Sequence, residues 1–158
     1  ACCGKIICMG CIYGQVKGNI SSLCPFCRTP TAASLAEQDE RLKKRAEGGD
    51  ASAICQLGSI YSNGGDRKKE RECWLRAGEL GNTEGYYWLG AAYHHRGVEK
   101  DEKKAKHYWE LAAMGGDVGA RQSLGTFEMN VCSNLARALK HFMMAAGGGD
   151  DDSLAIIR

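Results

Sequence analysis

The sequence predicts a mainly α-helical protein, an αα-hairpin solenoid of about three repeats preceded by a small cysteine-rich module. Three observations carry this expectation. Six of the nine cysteines fall in the first 27 residues. A Gly-Asp or Gly-Asn pair recurs at Gly49-Asp50, Gly81-Asn82, Gly116-Asp117 and Gly149-Asp150, with spacings of 32, 35 and 33 residues. Between these pairs, apolar residues recur every three or four positions, the spacing of one helix face.

The chain is 158 residues long, the size of one domain or of a small module joined to a longer one. Its 44% hydrophobic and 25% charged content is that of a globular protein. A net charge of +2 is too small to nominate nucleic acid as a partner. No apolar run approaches the ~20 residues needed to span a bilayer. The opening Ala1-Cys2-Cys3-Gly4-Lys5 lacks the basic start and apolar core of a secretion signal. An intracellular, cytoplasmic chain is expected, with the nucleus left open. Nine cysteines are an odd number, which argues against a disulfide framework and for metal ligation.

Composition divides the chain near residue 35. Residues 1–35 hold both prolines and a charge of +3 from Lys5, Lys17 and Arg28. Residues 36–46 place acids first and bases last, which complements a helix dipole and predicts a short, solvated connecting helix. Residues 47–158 are the repeats: 47–81, 82–116, 117–149, and the start of a fourth at 150–158.

In each unit, Leu-Gly follows the Gly-Asp/Asn pair, at Leu57-Gly58, Leu89-Gly90 and Leu124-Gly125. Four residues before each leucine lies a small residue (Ala53, Gly85, Ala120), and four after it Tyr61, Tyr93 or the deviant Glu128. These columns predict first helices near 51–62, 83–96 and 118–129. Second helices near 68–80, 101–114 and 134–147 carry an aromatic column, Trp74, Trp109 and Phe142, followed by Ala77-Gly78, Ala112-Ala113 and Ala145-Ala146. Asp50, Asn82 or Thr83, Asp117 and Asp150 are suited to cap the first helices, and the glycine before each to end the preceding helix. Gly58, Gly90 and Gly125 each cost about 1 kcal/mol inside a helix relative to alanine. A glycine kept at one repeat position implies a packing need there, read as close approach of two backbones. The middle unit is the most complete, the third is worn, and Ile157 falls in the leucine column of a chain expected to end within a helix.

Leu89-Gly90-x-x-Tyr93, the loop 96–101, then Lys104-Ala105-x-x-Tyr108-Trp109-x-x-Ala112-Ala113-x-x-Gly116 resemble the Sel-one-like repeats, relatives of the tetratricopeptide repeats. The resemblance covers about two-thirds of the chain. It implies a right-handed superhelix whose concave face holds protein partners, and scaffold or adaptor work instead of catalysis.

Cys8-Met9-Gly10-Cys11 and Cys24-Pro25-Phe26-Cys27 are two C-x-x-C knuckles with twelve residues between them, a zinc-binding pattern. Cys3 through Ile12, followed by Cys24-Pro25-Phe26-Cys27-Arg28, resembles the later part of a RING finger. Such a finger holds two structural zincs in a cross-brace. By resemblance, Cys8 and Cys11 match its third ligand pair, Cys24 and Cys27 its fourth, and Cys3 one ligand of its second. Lys5 stands where a histidine ligand is usual, and a lysine ammonium has no lone pair to offer. The first ligand pair is absent, so the module reads as a partial finger and the chain as a fragment or truncated product. Cys2, Cys3, Cys24 and Cys27 could close one site, or Cys8, Cys11, Cys24 and Cys27 could surround a single zinc.

The RING resemblance implies a ubiquitin ligase that recruits a ubiquitin-conjugating enzyme through Pro25 and Arg28. The planar guanidinium of Arg28 suits that role. Two readings follow: a zinc-binding interaction scaffold, or a ligase whose repeats choose substrates. No active-site nucleophile is expected in either, because Cys55, Cys73 and Cys132 lack a neighbouring His and acid pattern. His94, His95 and His107 read as exposed polar residues, His141 as a packing or surface variant, and Trp74 and Trp109 as core.

Overall fold

The computed structural model describes residues 23, 24, 26, 29, 30, 32–95 and 100–157. Among them are eight helices: α1 (Leu35–Glu47), α2 (Ala51–Gly64), α3 (Arg67–Glu79), α4 (Thr83–His95), α5 (Glu102–Met114), α6 (Val118–Asn130), α7 (Leu135–Gly147) and α8 (Asp151–Ile156). Helices α2/α3, α4/α5 and α6/α7 pair as hairpins, and each second helix also packs on the first helix of the next unit. The core is therefore a string of helix interfaces, the arrangement of a helical solenoid.

The Gly-Asp/Asn pairs form the joints between hairpins. Gly49, Gly81, Gly116 and Gly149 take φ of +83°, +89°, +92° and +96°, a left-handed turn that suits glycine. The next residue's N–H then donates to the carbonyl five residues back: Asp50 to Arg45, Asn82 to Ala77, Asp117 to Ala112 and Asp150 to Ala145. The same residue's side chain accepts from the backbone N–H three residues on, at Ala53, Gly85, Ala120 and Ser153. One dipeptide thus closes a helix and caps its successor. Asp66, Asp101 and Asn134 cap the second helices in the same way.

The glycine inside each first helix meets a ring. A Cβ on Gly58 would overlap the Trp74 indole; on Gly90 it would lie 2.6 Å from Trp109 Cδ1; on Gly125, 2.7 Å from Phe142 Cε1. The close contact in this column is chiefly ring on glycine, which corrects the expectation of backbone on backbone. Close backbone approach occurs instead at Gly85, where a Cβ would lie 2.6 Å from the Trp74 carbonyl oxygen. Trp74 and Trp109 are each 3% exposed and Phe142 2%, so the aromatic column is core, as expected.

Helix α1 differs from the solvated connector expected of residues 36–46. Ala46 is buried and Leu42 packs on the same cluster as Ile54 and Trp74. Leu42 stands where Trp74 stands relative to its Gly-Asn pair, and Ala46 where Gly78 stands. Helix α1 thus serves as the second helix of a preceding unit and covers the first face of α2. Arg45 Nε and Nη2 donate to Asp50 Oδ2 at 2.9 and 2.7 Å, tying α1 to the first joint.

Two buried carboxylates interrupt the repeat pattern. Glu70 is 1% exposed in a column that holds Ala105 and Ala138 elsewhere, with Arg67 Nη1 2.8 Å from Oε2. Burial pushes its carboxyl above the ordinary value, against the opposing pull of Arg67 and Arg71. Glu128, also 1% exposed, takes the tyrosine column and accepts from Lys106 Nζ at 2.7 Å, with Arg137 at 3.8 Å. The Lys106 hydrogen bond outweighs burial and holds the Glu128 carboxyl below its ordinary range.

Gly90→Ala should destabilise the protein by about 1–3 kcal/mol, despite alanine's higher helix propensity, because the added methyl overpacks against Trp109. Gly147→Ala, with nothing within 4 Å of its Cβ, should be neutral or stabilising by a few tenths of a kcal/mol. Urea unfolding of both variants checks the contrast.

The two carboxylates predict opposite pH dependences. A raised folded pKa favours folding below the ordinary glutamate value and loses that contribution as pH rises through the folded value. Glu70→Gln should therefore stabilise the protein at pH 7 and have little effect near pH 3. A lowered folded pKa does the reverse. Lys106→Met should cost about 1–3 kcal/mol at pH 7, with the loss shrinking as acid protonates Glu128. Unfolding midpoints between pH 3 and 8 read both.

Candidate interaction surface

Each first helix is covered by its own second helix and by the second helix of the preceding unit. Its remaining side faces outward. Three rows of residues repeat there: Gln56, Trp88 and Ser123; Ser59, Ala91 and Thr126; Asn63, His95 and Asn130. All nine are exposed or half-buried, and none carries a carboxylate, ammonium or guanidinium group. Glu84 is an acid on this side of α4, and its Oε1 accepts from the Trp88 indole N–H at 3.1 Å. Charges concentrate instead at the starts of the second helices, in the pairs Lys69–Asp66, Lys100–Glu102 and Lys104–Asp101. The outward face of the first helices is thus uncharged along these rows, rich in hydroxyl and amide groups, and marked by one large aromatic ring.

Rings brace this face from behind. Tyr108 stacks between Tyr86 and Tyr93, with centroids 6.1 and 5.8 Å away. Lys104 Nζ lies 5.2 Å from the Tyr93 ring centre and the Arg71 guanidinium 6.0 Å, both within cation–π range. Trp88 stacks on Trp74 at 6.2 Å. These contacts lock the side chains that position the outer rows.

The histidine expectations need one correction. His95 is exposed, as expected, but His94 is half-buried, its ring 5.1 Å from Trp109 and 6.1 Å from Phe127. Burial lowers its pKa, which favours the neutral imidazole. The sequence reading missed this because it judged His94 by its place near a helix end and ignored the helix packed opposite. His141 is a packing residue: burial lowers its pKa, and Glu128 opposes that shift. Cys55 is buried and its thiol is pushed up to about 12 by burial, which leaves it protonated and unreactive at neutral pH. Burial also raises the Cys73 thiol.

Of the expected zinc ligands, Cys24 is described and is half-buried. Its N–H donates to the Thr29 carbonyl at 2.8 Å, and Leu23 bridges Pro30 in antiparallel fashion. Leu23 and Cys24 thus lie beside Pro30 and Thr29. Cys2, Cys3, Cys8, Cys11 and Cys27, and the expected conjugating-enzyme contacts Pro25 and Arg28, lie outside the described residues. Among the described residues, no three His, Cys, Asp or Glu side chains gather as a metal site. Nor is any helix there long and apolar enough to cross a membrane.

Comparison with known proteins agrees with this architecture. The Sel1 repeat profile matches residues 51–82 and 83–117. A Sel1 repeat protein from Oxalobacter formigenes is 25% identical over 76% of this chain and 52% of its own, with a TM-score of 0.68. A protective antigen from uropathogenic Escherichia coli strains, displaying an SLR fold, is 23% identical over 80% of this chain and 29% of its own, with a TM-score of 0.71. The cysteine rich protein B of Helicobacter pylori is 24% identical over 80% of this chain and 99% of its own, with a TM-score of 0.58. The chain thus spans about half the length of the first of these and less than a third of the second. No curated protein matches the chain. Two matched repeats and the shared stack of helical hairpins together identify the chain as a Sel1/TPR-like α-helical repeat protein.

Proposed function

We propose that this protein is an interaction scaffold that presents the outward face of its first helices to a protein partner. One observation carries the reading: uncharged, hydrogen-bonding rows with an exposed Trp88 run along a stack locked from behind by aromatic contacts. A preorganised surface loses little side-chain freedom on binding, and aromatic residues supply anchoring area. A photocrosslinking residue placed at Gln56 or Ser123 should capture a partner in cells. The same residue at Glu72 or Lys103, exposed on second helices, should not. Capture only from the second-helix positions would contradict this assignment.

We further propose that the amino-terminal cysteines hold zinc in a structural module. The placing of Leu23 and Cys24 beside Pro30 and Thr29 supports this. Cys8, Cys11, Cys24 and Cys27 form one candidate ligand set; Cys2 and Cys3 replace the first knuckle in the other. Zinc would supply folding free energy to this short segment, on the order of 10 kcal/mol. In the ligase version of this reading, Pro25 and Arg28 contact a ubiquitin-conjugating enzyme. Native mass spectrometry of zinc-loaded protein should find one zinc per chain, removed by chelator and lost in Cys24→Ser. Retention of zinc in Cys2,Cys3→Ser selects the two-knuckle set. A chain that binds no zinc contradicts both sets. Ubiquitin discharge from a charged conjugating enzyme, abolished by Arg28→Ala, is the result the ligase version requires.

A further inference from the structure

The second hairpin closes on a column of three stacked rings, Tyr108 between Tyr86 and Tyr93, with centroids 6.1 and 5.8 Å away. The repeat register puts Arg121, His141 and Glu128 in the same three places of the third hairpin. Two phenol faces are exchanged there for two charges of opposite sign, and the ring between them for an imidazole. The first hairpin has Ile54, Cys73 and Tyr61 in these places. Of the three hairpins, the third therefore has the group that titrates near neutral pH at this position.

The imidazole is poorly prepared for a second proton. Its Nδ1 is buried and has no hydrogen-bond partner among the described residues. The charged groups that face it are Glu128 and Arg121 of α6, Arg137 of its own helix α7, and Glu110 of α5. Two cations thus balance two anions. Glu128, the largest influence of the four, is already held by Lys106 Nζ at 2.7 Å, with Arg137 Nη1 at 3.8 Å. Arg121 is engaged too: its guanidinium donates to the Ala113 carbonyl at 2.9 Å and to Met144 Sδ at 3.2 Å. Burial therefore decides, and it lowers the His141 pKa more than Glu128 raises it. A protonated ring would carry a buried N–H with no acceptor.

We infer that His141 is a proton-operated release: its protonation in mild acid loosens the α6/α7 hairpin while α2 and α3 stay docked. The sign follows from linkage. A histidine whose folded pKa is lowered stabilises the fold above its ordinary value of about 6.5, and that contribution fades as pH falls below it. Glu128 stays ionised over this interval, because its carboxyl is held below its ordinary range. Glu70 works in the opposite direction at α3, since its raised carboxyl favours folding as pH falls. Acid thus shifts stability away from the third hairpin and toward the first. In a stack whose units add their stabilities, such a shift opens one unit before the others. Ser123, Thr126 and Asn130 of the outer rows lie on α6 and loosen with it. The device belongs to the fold and holds whether or not that face meets a partner.

Amide exchange followed by NMR on the full chain, at about pH 7.5 and 5.5, tests this. Protection factors in α6 and α7 should fall about threefold or more on acidification, while those in α2 and α3 hold or rise. The carbon-13-labelled His141 ring should titrate below the ordinary histidine value. His141→Gln should abolish the fall. His141→Tyr, with the residue that the second hairpin has in this column, provides a second non-titrating variant should His141→Gln misfold. His94→Gln removes the other half-buried histidine and should leave the fall in place. Unchanged protection in α6 and α7, an equal loss along the whole chain, or a His141 ring that titrates at or above the ordinary value would overturn the inference. So would a fall that persists in both His141 variants or vanishes in His94→Gln.

Discussion

One contact sets the geometry of every hairpin: an aromatic ring lies on the glycine of the facing helix. Trp74 meets Gly58, Trp109 meets Gly90 and Phe142 meets Gly125. A glycine in mid-helix is intrinsically unfavourable, so its recurrence needs a compensating contact. Here that contact buries a whole ring, and burying a large apolar side chain is worth on the order of 2–3 kcal/mol. The small-residue columns follow from it. With the ring fixed, the next first helix can approach the Trp74 backbone only through a residue such as Gly85.

The joints transmit this geometry along the chain. Each Gly-Asp/Asn pair ends one helix and caps the next, so the angle between units is set by hydrogen bonds within a few residues. Helix α1 extends the same rule to the first unit, with Leu42 and Ala46 standing in for ring and small residue. Stability in such a stack is a sum of hairpin terms and neighbour terms. Buried charges at Glu70 and Glu128 weaken or retune individual neighbours without changing the overall path.

Much of this was legible in the sequence because the repeat makes each column visible more than once. The Gly-Asp joints, the aromatic column and the hairpin pairing all rest on recurrence. What recurs once is harder to read. Helix α1 carries the joint and the Leu42–Ala46 spacing but no tryptophan, and its charge order suggested a solvated connector. His94 was judged exposed because its partners, Trp109 and Phe127, come from other helices. The caps Asp66, Asp101 and Asn134 were readable from residue type, but the columns were aligned on the first helices and passed over them.

Function follows from how the stack divides its surface. Ion pairs gather at the starts of the second helices, and the first helices keep an uncharged face whose side chains are held from behind. All of this depends on the ring-on-glycine contact. The most direct measurement is a double-mutant cycle at Gly90 and Trp109, using Gly90→Ala, Trp109→Leu and the pair in urea unfolding. The account predicts that Gly90→Ala costs much less once Trp109 is leucine, with a coupling above about 1 kcal/mol. Costs that add within about 0.5 kcal/mol would contradict it, since Gly90 would then be required for some reason other than the ring.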